Sequence, residues 1–380
     1  MSSLWNKNIR ILDSEKQIEK RLRSHISQNL FRYFNTNGDL LLTKVDRDYW
    51  SIILVYKFKP LKENCNVHYL YCKIPKSDRN MTSIDKILVY NYKQSRRMAL
   101  VEFNNLRYLY NIFNECPDNF LKTIKPLDFI SEFNLILTEG VINSFEVFEF
   151  LRKIGRKRNI NKFPLFLIEK MGSWLGYVHK IGFNNFRNFP LFPTFNQQIL
   201  KYKEIVKKLN VSSRVKCKLF GYLEKLEKIA SSLVLTSEKT FVIEGFEVRN
   251  FITDKKAIYF LDPGKTAIGS LYEDLARFIA SLAILYWGRI DFLFEFRNEF
   301  CFFEKFINGY CKYVNLDLDY FILSIYLFKQ YLKLWIDGLK VLIFKQYPRL
   351  ISNLIEKIYI EHFFLKRIEN ILKGLESCGI

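Results

Sequence analysis

The chain has 380 residues, enough for one large domain or two lobes, and its hydrophobic content of 49% excludes extensive disorder. Its net charge of +20 would favour binding to nucleic acid, an anionic membrane surface or a phosphorylated ligand. A generally lysine-rich composition without a specific role explains the charge equally well. The seven cysteines form no C-x-x-C pair, which argues against a zinc site and a disulfide framework and predicts a reducing, cytoplasmic location.

The sequence contains no segment typical of a membrane span or a signal peptide. The longest strongly apolar uncharged run, Phe278–Gly288, is well short of the roughly 20 residues that a transmembrane helix requires. Residues 1–23 are polar and charged, unlike a secretory leader. We therefore expect no transmembrane segment, while contact with a membrane surface stays open.

The first part of the chain is predicted to be rich in strands. Apolar residues at helical spacing predict a helix at Ser14–Tyr33, within an N-terminal extension that we place at residues 1–38. Strand patterns then follow up to a boundary near residue 140. The predicted strands are Leu40–Val45, Tyr49–Phe58, Val67–Ile74, a short one at Ile87–Tyr92, and the pair LKTIKPLDFI and NLILTEG.

Two charged residues in this region are candidates for a site. Lys73 lies near the end of the third strand, and Glu102 lies on the first turn of a predicted amphipathic helix, Ala99–Phe113. Taken alone, Lys73 reads as a solvated lysine and Glu102 as an acid that favours a helix N-terminus.

From residue 141 onward the chain is predicted to be mainly helical. The sequence therefore predicts an α+β fold with two lobes, a small antiparallel sheet at 39–140 and a larger helical lobe at 141–380. The predicted helices are Phe145–Lys153, Leu167–Ile181, Gln197–Leu209, Val215–Leu235, Leu271–Tyr286, Phe292–Tyr313, Tyr320–Phe344 and Ser352–Lys373.

One segment, Ile243–Ile279, interrupts the helical pattern. It reads as a loop ending in Asn250, a turn at Asp254–Lys256, and a strand at Ala257–Leu261 that delivers Asp262 into a Pro-Gly turn. An amide and a carboxylate, twelve positions apart, thus flank a hairpin. Two such oxygen ligands can converge on Mg²⁺ that is bound to a nucleotide triphosphate.

The order of these features resembles the protein-kinase-like phosphotransferases, and most of all the aminoglycoside phosphotransferase, choline kinase and lipopolysaccharide-core kinase branch. The resemblance runs from about Leu40 to Gly309. It implies a two-lobed fold that binds ATP and Mg²⁺. It also implies that Lys73 in CKIPK holds the nucleotide phosphates, that Glu102 in LVEFNNL pairs with it, and that Asn250 and Asp262 bind the metal. Lys93 in NYKQ is the alternative to Lys73.

The same resemblance assigns supporting roles to other residues. ILTEGV is similar to the hinge that binds adenine through its backbone, near Leu137 and Glu139. His179 in SWLGYVHKIG corresponds to a structural histidine, and Asp274 in LYEDLARFI to an aspartate that braces the catalytic loop. The loops at 243–265 are expected to belong to the helical lobe.

The catalytic loop departs from the family pattern. The family has H-G-D-F-x-x-x-N, whereas this chain has I-E-G-F-E-V-R-N, so that Gly245 occupies the position of the catalytic aspartate. Glycine cannot orient or accept the proton of an attacking hydroxyl. Glu244 and Glu247 are the candidates to replace it.

Two hypotheses follow, and Gly245 leaves open whether the chain is an enzyme. The first is an ATP- and Mg²⁺-dependent phosphotransferase that acts on a hydroxyl of a small molecule, sugar or lipid-linked glycan; the net charge favours an anionic acceptor. The second is a catalytically impaired pseudokinase that serves as a nucleotide-binding or regulatory module. A nucleic-acid-binding protein is supported by the charge alone, since the sequence contains no recognition motif.

Overall fold

A computed structural model describes residues 15–47, 51–61, 67–76, 83–90, 92–154, 162–183, 189–231, 238–286, 299–344 and 360–377. The chain divides into two compact units. The first takes in Met1–Ser144 and Asp254–Gly264, and the second takes in Phe145–Thr253 and Lys265–Ile380. The loops at 243–265 were all expected in the helical lobe, whereas residues 254–264 group with the first unit.

The elements of the first unit are α1 (Lys16–Phe34), β1 (Gly38–Arg47), β2 (Ser51–Pro60), β3 (His68–Pro75), α2 (Ile84–Tyr90), α3 (Tyr92–Asn114), β4 (Leu121–Thr123), β5 (Pro126–Ile130), β6 (Leu135–Glu139) and, from the later segment, β10 (Ile258–Phe260). Those of the second unit are β7 (Phe145–Glu146), α4 (Val147–Ile154), α5 (Lys162–Gly182), α6 (Phe195–Lys208), α7 (Ser213–Ser231), β8 (Lys239–Ile243), β9 (Phe251–Thr253), β11 (Thr266–Ser270), α8 (Tyr272–Ala283), α9 (Glu299–Cys311), α10 (Tyr320–Phe344) and α11 (Phe363–Ser377).

A five-stranded antiparallel sheet forms the centre of the first unit, in the order β1-β2-β3-β6-β5. Helix α1 packs on it through Leu22, Ile26 and Leu30, which are buried in the same core as the strands. The apolar residues of α1 recur at intervals of four, and they therefore form one stripe that can be buried. The helix that we described as an extension is thus part of the core of this unit.

Two predictions between β3 and β4 were wrong. Ile87–Tyr92 was read as a strand, but it falls largely on α2, whose Ile84 and Ile87 are buried three residues apart, as one helix face requires. Helix α3 begins at Tyr92 rather than at Ala99, so Glu102 lies in its third turn and not in its first. Most of the polar residues before Ala99 are exposed, and they therefore leave no apolar pattern; they are Lys93, Gln94, Arg96 and Arg97.

The turn before β10 has the local chemistry that the sequence indicates. The Asp254 carboxylate accepts hydrogen bonds from the backbone N–H groups of Lys256 and Ala257, at 2.9 and 2.8 Å. Lys255 occupies the left-handed region, with φ 71°. Strand β10 then pairs in parallel with β4, and it ends two residues before Asp262.

Helices α5 and α9 of the second unit pack closely because glycines line their contact. A Cβ at Gly172 would lie 2.0 Å from the Phe306 carbonyl oxygen, and one at Gly309 would lie 1.9 Å from that of Glu169. The predicted helix Tyr320–Phe344 coincides with α10. The antiparallel pair β8 and β11 was not predicted.

The predicted α+β class is confirmed, with the antiparallel sheet in the first part of the chain and most helices in the rest. The starts of the predicted helices Phe292–Tyr313 and Ser352–Lys373 lie outside the described residues. Among the helices that the structure describes, none is sufficiently long and apolar to cross a bilayer.

Candidate active site

Three of the candidate side chains meet in the first unit. The Lys73 ammonium on β3 lies 2.7 Å from Oε1 of Glu102 on α3 and 2.6 Å from Oδ2 of Asp262, which follows β10. Lys93, the alternative lysine, lies on the first turn of α3 and is exposed. The geometry therefore selects Lys73 over Lys93 as the lysine that pairs with Glu102.

Burial and mutual charge perturb the proton affinities of this cluster. Burial and, after it, the neighbouring Asp262 carboxylate raise the pKa of Glu102, the Lys73 ammonium lowers it, and the net result is a pKa of about 7. Burial disfavours the charged form of Lys73, but the carboxylates of Asp262 and Glu102 outweigh it and raise its pKa. Lys73 is therefore a firmly protonated cation held between two carboxyl groups.

Helix α3 also holds the turn that follows Asp262. Oδ1 of Asp262 accepts a hydrogen bond from the Gly264 N–H at 3.2 Å, and Gly264 adopts φ 54°, a conformation that favours glycine. The Gly264 carbonyl in turn accepts from Nδ2 of Asn105 at 2.9 Å. Asn105 was not predicted from the sequence, although it lies three residues after Glu102 and thus on the same helix face.

The backbone near Leu137 and Glu139 is already engaged in the sheet. Leu137 is buried in β6 and pairs with both β3 and β5. The Glu139 N–H donates to the Lys125 carbonyl, and the Gly140 N–H donates to that of Tyr69. The adenine contact at Leu137 and Glu139 stays a prediction.

The Glu139 side chain has its own partners. Its Oε1 lies 3.1 Å from Nδ1 of His68, and its Oε2 lies 3.2 Å from the Lys125 ammonium. This carboxylate therefore joins β3, β6 and the segment that precedes β5.

Asn250 belongs to the second unit, where its side chain closes the loop between β8 and β9. Its Nδ2 donates to the Gly245 carbonyl at 2.7 Å, and its N–H donates to the Glu247 carbonyl at 3.0 Å. The Oδ1 atom is the part of this amide that remains suited to a cation, because the amide nitrogen is committed to the loop.

The two glutamates that flank Gly245 differ in their surroundings. Glu247 is buried and pairs with Arg249, whose Nε lies 2.6 Å from Oε2 of the carboxylate. Glu244 is exposed, and its backbone N–H donates to the Lys265 carbonyl. Of the two, the Glu244 carboxylate is the one that solvent reaches freely.

A buried network centred on Asp274 braces the same loop. Oδ2 of Asp274 accepts from the Ile243 N–H at 2.8 Å and lies 3.4 Å from Nε2 of His179. Arg277 donates both to Oδ1 of Asp274 and to the Ile243 carbonyl, and Nδ1 of His179 lies 3.0 Å from the Tyr310 hydroxyl. Arg277 was not predicted, although residues three positions apart lie on the same face of a helix and Arg277 follows Asp274 by three.

The comparisons by sequence return no relative: no family model matches the chain, and no curated protein matches it. Comparison with solved structures gives a different result. The choline kinase of Cryptosporidium parvum Iowa II matches with a TM-score of 0.58 and 14% identity, over 94% of this chain and 97% of that one. The choline kinase LicA of Streptococcus pneumoniae matches with a TM-score of 0.52 and 13% identity, over 95% and 100%.

An amicoumacin kinase in complex with AMP-PNP, Ca²⁺ and Ami matches with a TM-score of 0.53 and 12% identity, over 92% of this chain and 96% of that one. Aminoglycoside phosphotransferases are also among the matches. The chain therefore has the two-lobed protein-kinase-like fold found in choline kinases and aminoglycoside phosphotransferases, which confirms the resemblance read from the sequence. Similarity at this level of identity establishes the fold and not the reaction.

Proposed function

We propose that this protein binds ATP with Mg²⁺ and transfers the γ-phosphoryl group to a hydroxyl of a small molecule, sugar or lipid-linked glycan. The observation that carries the proposal is the cluster of Lys73, Glu102 and Asp262. A half-buried cation fixed by two carboxyl groups is suited to bind phosphate oxygens, because Glu102 keeps the ammonium in place when Asp262 turns to a metal.

The residues present fit a magnesium ion. Asp262 contributes a carboxylate that is 36% exposed. In Asn250 the amide nitrogen donates to the Gly245 carbonyl, so the amide oxygen is the atom that would bind the metal. Oxygen ligands of this kind are those that Mg²⁺ prefers. When bound, the ion would neutralise charge on the β- and γ-phosphates. Asp262 and Asn250 would hold it, and Lys73 would bind phosphate oxygens beside it.

In the transfer, the acceptor oxygen bonds to the γ-phosphorus while the bond to the bridging oxygen breaks, and ADP leaves with that electron pair. The acceptor proton must pass to a base or to water. Gly245 offers none, Glu247 is paired with Arg249, and Glu244 remains. General-base help contributes about 10²- to 10⁴-fold, so we expect slow turnover that depends on Glu244.

Nucleotide binding is the first test. Lys73→Met should weaken ATP–Mg²⁺ binding about 10- to 150-fold, because it removes charge-assisted hydrogen bonds worth about 1.5–3 kcal/mol. Lys93→Met is the matched control, since Lys93 is exposed on the same unit, and it should bind like the wild type. Titration calorimetry measures both. Equal affinity of the two variants would contradict the role of Lys73.

The second candidate function, a pseudokinase, is favoured by Gly245. It predicts that ATP–Mg²⁺ stabilises the wild type but not Asp262→Asn, without release of ADP in the presence of acceptors. The phosphotransferase predicts ADP release that falls in Glu244→Gln. ADP release that is equal in the wild type and in Glu244→Gln would remove Glu244 from the mechanism without refuting transfer.

A further inference from the structure

One face of α10 carries four charged side chains in a helix that is otherwise mostly apolar. Lys329, Lys333, Asp337 and Lys340 follow each other at intervals of four, four and three residues, which places them on one side of the helix. Apolar core accounts for its aromatic residues but not for three lysines on one face.

The outer three residues of this face form a continuous ion pair. Nζ of Lys333 lies 2.9 Å from Oδ2 of Asp337, and Nζ of Lys340 lies 2.9 Å from Oδ1 of the same carboxylate. All three side chains are partly accessible, at 28%, 27% and 21% for Lys333, Lys340 and Asp337. Each oxygen of the Asp337 carboxylate thus accepts one hydrogen bond, and two positive charges share one negative charge.

This arrangement decides what the cluster can offer to a ligand. Each ammonium group has three N–H donors, of which the pairing with Asp337 takes one. Two ammonium groups beside one carboxylate leave this cluster with a net positive charge. A bound group must therefore bring acceptor oxygens and negative charge, whereas a cationic group would add a third positive charge beside two others.

The innermost lysine connects this face with the helix that braces the loop. Lys329 is fully buried, pairs with Glu273 of α8 and lies 3.1 Å from Oε1 of Gln198. Glu273 immediately precedes Asp274, which holds the Ile243 N–H. One turn of α10 therefore separates this contact from Lys333.

A carboxylate of the loop helps to keep Lys333 charged. Burial disfavours the charged form of Lys333, but the carboxylates of Asp337 and then of Glu247 raise its pKa. Glu247 lies two residues after Gly245, the position at which the acceptor hydroxyl is expected. The Lys333 ammonium is thus kept charged.

We infer that Lys333 and Lys340, held by Asp337, form part of the acceptor site and select an acceptor alcohol that carries a phosphate group. This inference rests on the proposed phosphotransferase function and narrows its substrate class. Choline and aminoglycosides, for which structurally similar proteins are named, are cations. The α10 face would disfavour them, so the shared fold does not predict a shared acceptor here.

The test uses inorganic phosphate as the probe and thermal unfolding as the readout, in the full-length chain at constant ionic strength. A Lys73→Met background removes the phosphate-binding lysine of the nucleotide site. The Lys333→Gln, Lys340→Gln pair should raise the half-saturating phosphate concentration at least tenfold. Lys333→Arg with Lys340→Arg keeps both charges and should retain the response. Choline chloride should not raise the melting temperature.

A matched control is Lys201→Gln with Lys208→Gln on α6, which removes two exposed charges elsewhere in the same unit and should leave the phosphate response unchanged. An equal response of the Lys333, Lys340 pair and this control would overturn the inference, as would stabilisation by choline that exceeds that by phosphate. If the glutamine pair does not fold, Lys340→Gln alone serves the same comparison, with about a threefold weaker phosphate response expected.

This test can fail or succeed independently of the proposed phosphotransferase function. Absence of ATP–Mg²⁺ binding by the wild type would refute the phosphotransferase, whereas the phosphate response is read without nucleotide. Once transfer is observed, a phosphorylated sugar should be a better acceptor than the same sugar without phosphate. A preference for the neutral sugar would overturn the selectivity.

Discussion

Replacing Asp274 by alanine tests whether the loop that contains Gly245 depends on the buried network beneath it. Asp274 is fully buried, and three groups converge on its carboxylate: the Ile243 N–H, the Arg277 guanidinium and the His179 ring. Removal leaves Arg277, which is 5% exposed, without its nearest counter-charge.

The expected loss follows from these contacts. Breaking a buried ion pair by removing one partner costs about 3–5 kcal/mol, and leaving a buried N–H unsatisfied costs about 1–3 kcal/mol. The two costs share one carboxylate and are not additive. We therefore expect Asp274→Ala to lower the free energy of unfolding by about 3–5 kcal/mol. Asp274→Asn keeps an oxygen for Ile243 but not the charge, and it should lose less.

Two measurements report the effect. Urea unfolding gives the global loss, and hydrogen exchange of peptides that cover β8 and residues 244–250 gives the local one, because the Ile243 N–H is bonded directly to Asp274. Glu204→Ala, which removes an exposed carboxylate paired with Lys207, is the control and should not change either reading. A loss below about 1 kcal/mol, with unchanged exchange in this segment, would refute the bracing role.

Four further predictions follow from the packing and from the perturbed pKa values. Gly309→Ala forces a Cβ to within 1.9 Å of a backbone carbonyl of α5 and should destabilise the protein by at least 1–3 kcal/mol, roughly the cost of overpacking, in urea unfolding. Gly221→Ala, with nothing within 4 Å, should stabilise α7 by about 0.5–1 kcal/mol. Because the pKa of Glu102 is raised from 4.5 to about 7, the native state binds more protons in that window. Stability should therefore fall as the pH rises through it, and Glu102→Gln should abolish this fall. Burial lowers the pKa of Lys329 from 10.5 to about 8, so stability should rise with pH between these values, and Lys329→Met should remove the rise.

The sequence predicted best those elements whose pattern is local and long. Helix α10 has 25 residues of sustained apolar periodicity, and its predicted bounds match those observed. The turn at Asp254–Lys256 was readable because its side-chain hydrogen bonds join residues two and three positions apart. The pairing of Lys73 with Glu102 was inferred from the resemblance, and the structure brings the two side chains together.

The remaining features depend on contacts that a single pattern does not contain. Strand β8 has five residues, and its partner β11 follows more than twenty residues later. The sequence of each strand alone does not distinguish it from a buried loop, because the pairing is not local. The start of α3 was missed because most residues of its first two turns are polar and exposed, among them Lys93, Gln94 and Arg96. The α10 lysines were passed over because the apolar residues around them dominate the periodicity.

The division of the chain into two units affects how this protein folds during its synthesis. Strand β4 pairs in parallel with β10, and Lys73 binds Asp262, yet β10 and Asp262 lie far beyond the rest of the first unit in sequence. During synthesis, the five-stranded sheet of this unit can form while β4 still lacks its partner strand and Lys73 has only Glu102 as its counter-charge. At about 5–20 residues per second, several seconds separate the emergence of β4 from that of its partner. An N-terminal fragment that ends near residue 144 would therefore leave β4 without its partner strand, and the unpaired N–H and C=O groups of such a strand favour aggregation.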